Sequence, residues 1–292
     1  MRNKNARIRS PDNAVRRENL METTPKKIAF GRNGAWESLV AGSIDAASYS
    51  FSCVDFDRFD LETVDYAIPL QVHDAMALRR RYGEAHGKYI IADPDITALC
   101  ADKLDFNKAI LASDFAYMIP EIYETTKRDF PYVLKRRDGG SGEEIFVVRT
   151  EEDERRHETH LSRDSFFCQV YVPGQVEYAT HMLLVNGEVL YHSTNKYVMS
   201  DEFLVKGTAR QPEREMLGAA MDGHVILALT ELLRSVGFNG TCCLDYKILD
   251  GRIQLMEVNP RVGFSLFRDI NRYLEAYIGA LEAKGGGGRR PA

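Results

Sequence analysis

TCCLDYKILDGRIQLMEVNPR, residues 241–261, decides how this chain is read. Two apolar runs, TCCLDYKIL and RIQLMEV, flank Asp250-Gly251, and Asp-Gly between such runs signals a tight type I′ hairpin. Asp245 falls on the first strand, with Glu257 and Asn259 at the end of the second. Residues two apart on a strand share a face, so Glu257 and Asn259 point the same way. Pairing around the turn predicts Asp245 opposite Met256, close to both. Two carboxylates and an amide oxygen then meet at one end of a hairpin. A few hard oxygen donors suit Mg²⁺, which keeps its other positions for water and phosphate. A surface carboxylate cluster, or an Asp-Glu pair capping a sheet edge, would have the same composition.

Working outward, EYATHMLLV and EVLYHSTNKYV form a second hairpin around Asn186-Gly187, preceded by the apolar run FFCQVYV. A long helix is predicted from Pro212 to Val236, with Pro near its start and Gly237 closing it. Further upstream, DKLDFNKAILASDF places Leu104, Lys108 and Leu111 at helical spacing. The strands YVLKRR and IFVVRT enclose DGGSGEE, and the acidic helix EEDERRHETH follows. Glycines in that loop tolerate positive φ and can present backbone N–H groups to phosphates, although a plain hairpin turn has the same composition. Lys135 stands inside an apolar strand. Burying a lysine without an anionic or acceptor partner is costly; an edge-strand lysine facing water is the other reading.

The N-terminal section alternates short apolar runs, KKIAF, SYSFSCV, VDYAIPL and KYIIA, all read as strands. Between the last two, HDAMALRRRYGEAHG is helical, with the arginines at 79–81 read as a solvated face. Strands alternating with helices predict a small, mostly parallel α/β lobe. The turn FGRNGAWES lacks the glycine pattern of a dinucleotide site. Expected boundaries are a disordered basic arm at 1–25, an α/β lobe at 26–94, a small lobe at 95–165, a larger lobe at 166–284, and a flexible tail at 285–292.

Bulk properties narrow the classes. The 292 residues carry a net charge of −5, with 44% hydrophobic and 28% charged side chains. That balance is ordinary for a globular protein and argues against nucleic-acid or acidic-membrane binding as a main role. No apolar run approaches the roughly 20 residues of a membrane helix. Five cysteines at these spacings fit neither a disulfide framework nor a zinc site, so reduced thiols in a cytoplasm are expected.

The pieces taken together are more specific than any one. In order the chain has DK at 102–103, VLK and GGSG within 133–142, QVYVPGQVEY at 169–178, LDYK at 244–247 and EVNPR at 257–261. This series resembles the ATP-grasp superfamily over about residues 95 to 270. The resemblance implies an ATP-grasp fold, two α+β lobes clamping ATP, preceded by a small Rossmann-like α/β lobe. It implies that Lys103 and Lys135 meet the ATP phosphates and that Gly139, Gly140, Ser141 and Gly142 form a flap over them. Gln169, Val170, Tyr171 and Val172 would be the hinge that meets adenine through its backbone; many relatives carry glutamate where Val170 stands. Glu177 would hold the ribose. Asp245, Glu257 and Asn259 would bind one or two Mg²⁺ ions, for which Mn²⁺ can substitute. Arg261 would stabilise the transferred phosphoryl group, with Lys196 as a further cation toward the γ-phosphate.

The implied activity is a carboxylate-amine ligase working through an acyl-phosphate on small-molecule or peptide acids and amines. A phosphotransferase of the same fold and a non-catalytic Mg-ATP-binding protein are the alternatives. Dimers through the N-terminal lobe are common among relatives, which leaves a homodimer open. His157 and His160 share a helix face among acids and arginines, and a zinc site is not expected there. His181 and His192 sit on paired strands, as sheet histidines or as substrate contacts. Trp36, the only tryptophan, is either core or a substrate wall.

Overall fold

A computed structural model describes residues 24–84, 86–123, 127–139, 144–207 and 213–286. The expected basic arm therefore lies almost wholly outside the described residues. So do Gly140, Ser141 and Gly142 of the glycine loop, Pro212, and the tail beyond residue 286.

The N-terminal sheet is parallel, in the order β2-β1-β3, with β1 Lys26–Gly31, β2 Tyr49–Val54 and β3 Tyr66–Ile68. Helix α1 (Gly34–Ser43) follows β1, and α2 (Val72–Tyr82) follows β3. KYIIA, expected as a fourth strand, is not one. β3 is only three residues long; one backbone bond, Ala67 N–H to the Lys88 carbonyl at 2.8 Å, joins it to KYIIA, and the Tyr277 hydroxyl stands where a ladder would continue. It accepts from the Ile90 N–H at 2.7 Å and donates to the Ala67 carbonyl at 3.0 Å. The arginines of α2 also depart from expectation. Arg81 donates to the Phe56 and Phe59 carbonyls at 2.7 and 2.6 Å, and Arg79 to the Ala92 carbonyl, so they tie loops down.

Two short helices come next. In α3 (Pro94–Ala101) Asp93 caps the N-terminus, and in α4 (Lys103–Leu111) Asp102 does so, accepting from the Leu104 and Asp105 N–H groups. A four-stranded antiparallel sheet follows in the order β4-β7-β5-β6. Its strands are β4 Ile122–Tyr123, β5 Tyr132–Arg136, β6 Ile145–Val148 and β7 Phe166–Val170, with α5 (Glu151–Arg156) and α6 (Glu158–Leu161) between the last two. The strand expected to open the larger lobe, β7, thus completes the smaller sheet. Conversely α3 and α4 leave that lobe: Cys100, Phe106 and Ile110 are buried with Leu229, Leu244 and Leu255 in the core under the larger sheet.

That larger sheet is antiparallel, in the order β10-β9-β8-β11-β12. Strands β8 (Val176–Val185) and β9 (Glu188–Val198) turn at Asn186 and Gly187, with φ of +54° and +79°. Both predicted hairpins are present, and both turns have the paired positive φ of type I′. The helix expected over 212–236 divides into β10 (Glu213–Gly218), on the sheet edge beside β9, and α7 (Gly223–Ser235). EREMLG pairs as an edge strand, and Asp222 starts the helix by accepting from the His224 N–H at 2.8 Å. Gly237, at φ +71°, closes α7 as expected.

Strands β11 (Gly240–Leu249) and β12 (Arg252–Asn259) form the deciding hairpin, turning at Asp250 and Gly251. After a 3₁₀ turn at Phe264–Asp269, α8 (Ile270–Gly286) runs back beneath the first sheet. Its Tyr273, Leu274, Tyr277 and Leu281 are buried with Ile28, Phe30 and Tyr49.

Candidate active site

The hairpin is not in the simple register. Asp245 pairs with Glu257, not Met256, because the pairing slips by one between Asp245 and Tyr246. The slip is a β-bulge, which sets one residue outside the ladder and turns the strand. It brings the two carboxylates directly opposite each other. The Asn259 amide stands between them, donating to Glu257 Oε1 at 2.9 Å and lying 3.5 Å from Asp245 Oδ2.

The two lysines expected at the phosphates reach the same place from different elements, Lys103 from the start of α4 and Lys135 from β5 of the smaller sheet. Lys103 and Lys135 are 6% and 4% exposed, so each needs a partner. Lys103 Nζ lies 3.4 Å from Glu257 Oε2 and donates to the Gly139 carbonyl at 2.7 Å. Lys135, projecting from β5, donates at 3.2 Å to the carbonyl of Met256, the residue that the bulge leaves outside the ladder. Its ammonium sits 5.2 Å from the centre of the Phe167 ring. Burial, with Lys103 adding repulsion, lowers Lys135 to about 8.

The carboxylates are pushed apart in pKa. Burial raises Asp245 to about 7 against the pull of Lys206, with Glu257 and Glu177 crowding it. Burial acts upward on Glu257 too, but Lys103 and the Asn259 amide outweigh it and hold the carboxyl at about 2.

Lys206 was not visible in the sequence as a functional residue, because it lies in a loop without periodicity. It bridges Glu177 Oε1, at 2.7 Å, and Asp245. Those two anions hold its pKa well above the ordinary value despite burial. Lys196, expected to play the corresponding part, does not reach the cavity. Its neighbour Tyr197 lines the cavity, and strand alternation turns Lys196 the other way, where its ammonium pairs with Glu215 at 3.5 Å. Lys247 was also missed, although a signal existed: it lies two residues from Asp245 on one strand, and both line the cavity. It donates to the Val172 and Gly174 carbonyls at 2.9 and 2.7 Å.

The expected hinge runs along one cavity wall. Val170, Tyr171 and Val172 all line it, with the Gln169 amide anchored to the Pro120 carbonyl at 2.7 Å. The Tyr171 hydroxyl donates to the Glu202 carbonyl at 2.6 Å. Arg261 stands at the opposite end of the constellation, bonded to Asn259 Oδ1 at 3.1 Å. The loop after it hugs the sheet: a Cβ on Gly263 would come within 2.6 Å of the His181 ring.

The histidines take no part in this lining. His181 is fully buried, bonded to Ser265 at 2.7 Å, and its burial lowers it to about 3. His157 and His160 pack on the Phe146 ring, at 4.2 and 5.2 Å between centroids. Among the described residues no three His, Cys, Asp or Glu side chains gather as a metal cluster; the hairpin trio is two carboxylates and an amide. Trp36, left open between core and wall, does both: it packs on the Phe267 ring and lines the cavity.

One cavity of about 720 Å³ joins all of this. Basic side chains on its lining outnumber acidic ones, and its four acids are Glu177, Glu202, Asp245 and Glu257. Because lysines already balance three of those acids, Arg214, Arg261 and Arg268 leave a surplus of positive charge for an anionic occupant.

The sequence model of a family described as an ATP-grasp domain matches residues 100–265. A search of curated proteins finds no match. Among solved structures, the D-alanine–D-alanine ligase of Bacillus anthracis is similar at a TM-score of 0.58 and 16% identity, over 89% of this chain and 99% of that one. The N5-carboxyaminoimidazole synthase of Aspergillus clavatus, in complex with ADP and 5-aminoimidazole ribonucleotide, is similar at 0.60 and 15%, over 88% and 76%. The VanG D-Ala:D-Ser ligase of Enterococcus faecalis is similar at 0.58 and 15%, over 88% and 95%. At such identities the likeness is one of fold.

Proposed function

The chain belongs to the ATP-grasp family, and on that footing we propose that it is an ATP-dependent carboxylate-amine ligase. The observation that carries this reading is the meeting of Asp245, Glu257 and Asn259 with Lys103 and Lys135 in one cavity, where Lys103 lies 3.4 Å from Glu257. Similar folds named as ligases and as a synthase, one of them with ADP, support it.

Adenine rests against the backbone of Gln169–Val172, and Glu177 faces the ribose. Lys103 and Lys135 exchange their present carbonyl partners for phosphate oxygens. The hard oxygens of Asp245, Glu257 and Asn259 fit Mg²⁺, or Mn²⁺ in its place, which neutralises phosphate charge when bound. In the unliganded chain the Asn259 amide nitrogen faces both carboxylates while its oxygen accepts from Arg261, so an ion there would take the two carboxylates directly and the Asn259 oxygen after the amide turns over.

A substrate carboxylate attacks the γ-phosphorus in line, forming the acyl-phosphate and releasing ADP. Lys206 and Arg261 steady the oxygens of the transferred group. An amine then attacks the acyl carbon, inorganic phosphate leaves, and the nitrogen sheds a proton, giving the amide. No side-chain nucleophile is needed. All five cysteines are free, which suits a reducing compartment such as the cytoplasm, and no helix among the described residues is long and apolar enough to cross a membrane.

The test is release of ADP and phosphate with a panel of acids and amines. Cleavage that requires both an acid and an amine supports the ligase. A stable phosphorylated product would make the protein a phosphotransferase, and nucleotide binding without any cleavage would make it a binding protein.

A further inference from the structure

The cavity has a second wall that the nucleotide reading does not use. Trp36 and Leu39 of α1 face it, together with Phe264 and Phe267 of the 3₁₀ turn. The indole meets the Phe267 ring edge-on at 5.5 Å and the Phe264 ring at 6.4 Å. Phe267 is buried, but Phe264 is 47% exposed although it lines a concave wall. An exposed aromatic in a concave site is a surface waiting for an apolar partner. Next to it the same turn supplies a cation. Residues three apart eclipse in a 3₁₀ turn, so Ser265 and Arg268 lie in one column, and both line the cavity. Arg268 is exposed and has no hydrogen-bond or ion-pair partner among the described residues. Arg261 precedes this turn and borders the proposed phosphoryl-transfer site.

We propose that the acid activated by this enzyme carries an aromatic or bulky apolar group, seated against Trp36, Leu39 and Phe264, with its carboxylate drawn toward Arg261 and Arg268. The proposal rests on the ligase reading of the neighbouring site. The positive surplus selects an acid over an amine for this wall, since an ammonium would meet two guanidinium groups. The aromatic surface selects against short polar acids, which would leave it wet.

Trp36 is the only tryptophan, so its emission reports occupancy of this wall without any turnover. The experiment titrates the Mg-ADP-bound protein with 3-phenylpropionate and with propionate, which share the carboxylate and differ in the ring. The expected result is a saturable change in emission at a concentration at least about tenfold lower for 3-phenylpropionate, the lower end of what burying a phenyl group gives. Phe264→Ala, at an exposed position that a folded chain tolerates, should weaken 3-phenylpropionate about tenfold and leave propionate and Mg-ADP affinity unchanged. Equal affinity for the two acids, or an indifferent Phe264→Ala, overturns the proposal. Aromatic-acid binding that survives while no acid and amine pair drives ATP cleavage would instead sink the ligase reading and leave the aromatic pocket standing.

Discussion

The two halves of the cavity are built on opposite principles. The half formed by β5, β11 and β12 is a lattice of charges on fixed partners: Lys103 against Glu257, Lys206 against Glu177 and Asp245, and Lys135 and Lys247 on backbone carbonyls. The half formed by α1 and the 3₁₀ turn is an aromatic wall with Arg268 left unmatched among the described residues. A phosphate chain is the same in every ATP, so its site is specified by charge at fixed positions. The acid is what distinguishes one ligase from another, and shape and apolar area specify that.

The largest effect that would sharpen this contrast belongs to Glu257. Glu257→Gln keeps the size of the side chain and removes its charge, and turnover should fall about 10³-fold with nucleotide still bound. Calorimetry of ADP binding beside the phosphate-release assay checks it, and full activity would remove Glu257 from the metal site. Lys206→Ala comes next, with an expected loss of about 10² in kcat, because Glu177 and Asp245 would then face each other uncompensated.

A smaller effect concerns pH. Lys135 in the free protein titrates at about 8, so its cation is present below that value and lost above it. ADP affinity should therefore weaken up to about tenfold between pH 7 and pH 9, and Lys135→Arg, charged throughout, should flatten the profile. An unchanged profile in the wild type would take Lys135 away from the phosphates. The smallest effect is the most discriminating: Lys196→Ala should change kcat less than about twofold, since its salt bridge with Glu215 is a surface pair outside the cavity. A loss matching that of Lys206→Ala would return the role to Lys196.

The charged half was largely legible in the sequence. Asn-Gly and Asp-Gly between apolar runs name their turns, and strand alternation then places Glu257 and Asn259 together. What alternation cannot supply is the bulge. A one-residue slip leaves no compositional trace, so Asp245 was expected opposite Met256 and stands opposite Glu257. Lys206 escaped for a related reason, since a loop has no period to betray its direction. The same alternation, applied to Tyr197, would have turned Lys196 away. EREMLG reads equally as an edge strand or as a helical first turn, and tertiary pairing with β9 decides for the strand. The aromatic half was hardest, because Trp36 and Phe264 lie more than two hundred positions apart and only the packed chain brings them together.

The Tyr277 hydroxyl, which stands in for the missing fourth strand, has a consequence for how the chain is assembled. The first sheet is made long before α8, whose Tyr273, Tyr277 and Leu281, more than about two hundred residues further on, are buried with Ile28, Phe30 and Tyr49. Until then its oily underside has only the cover that α1 gives through Val40 and Leu39, and a nascent chain holding only this lobe is a natural client for chaperones. Helix α8 acts as a keystone, and the aromatic wall that α1 carries is set in place only after the 3₁₀ turn and α8 have been made.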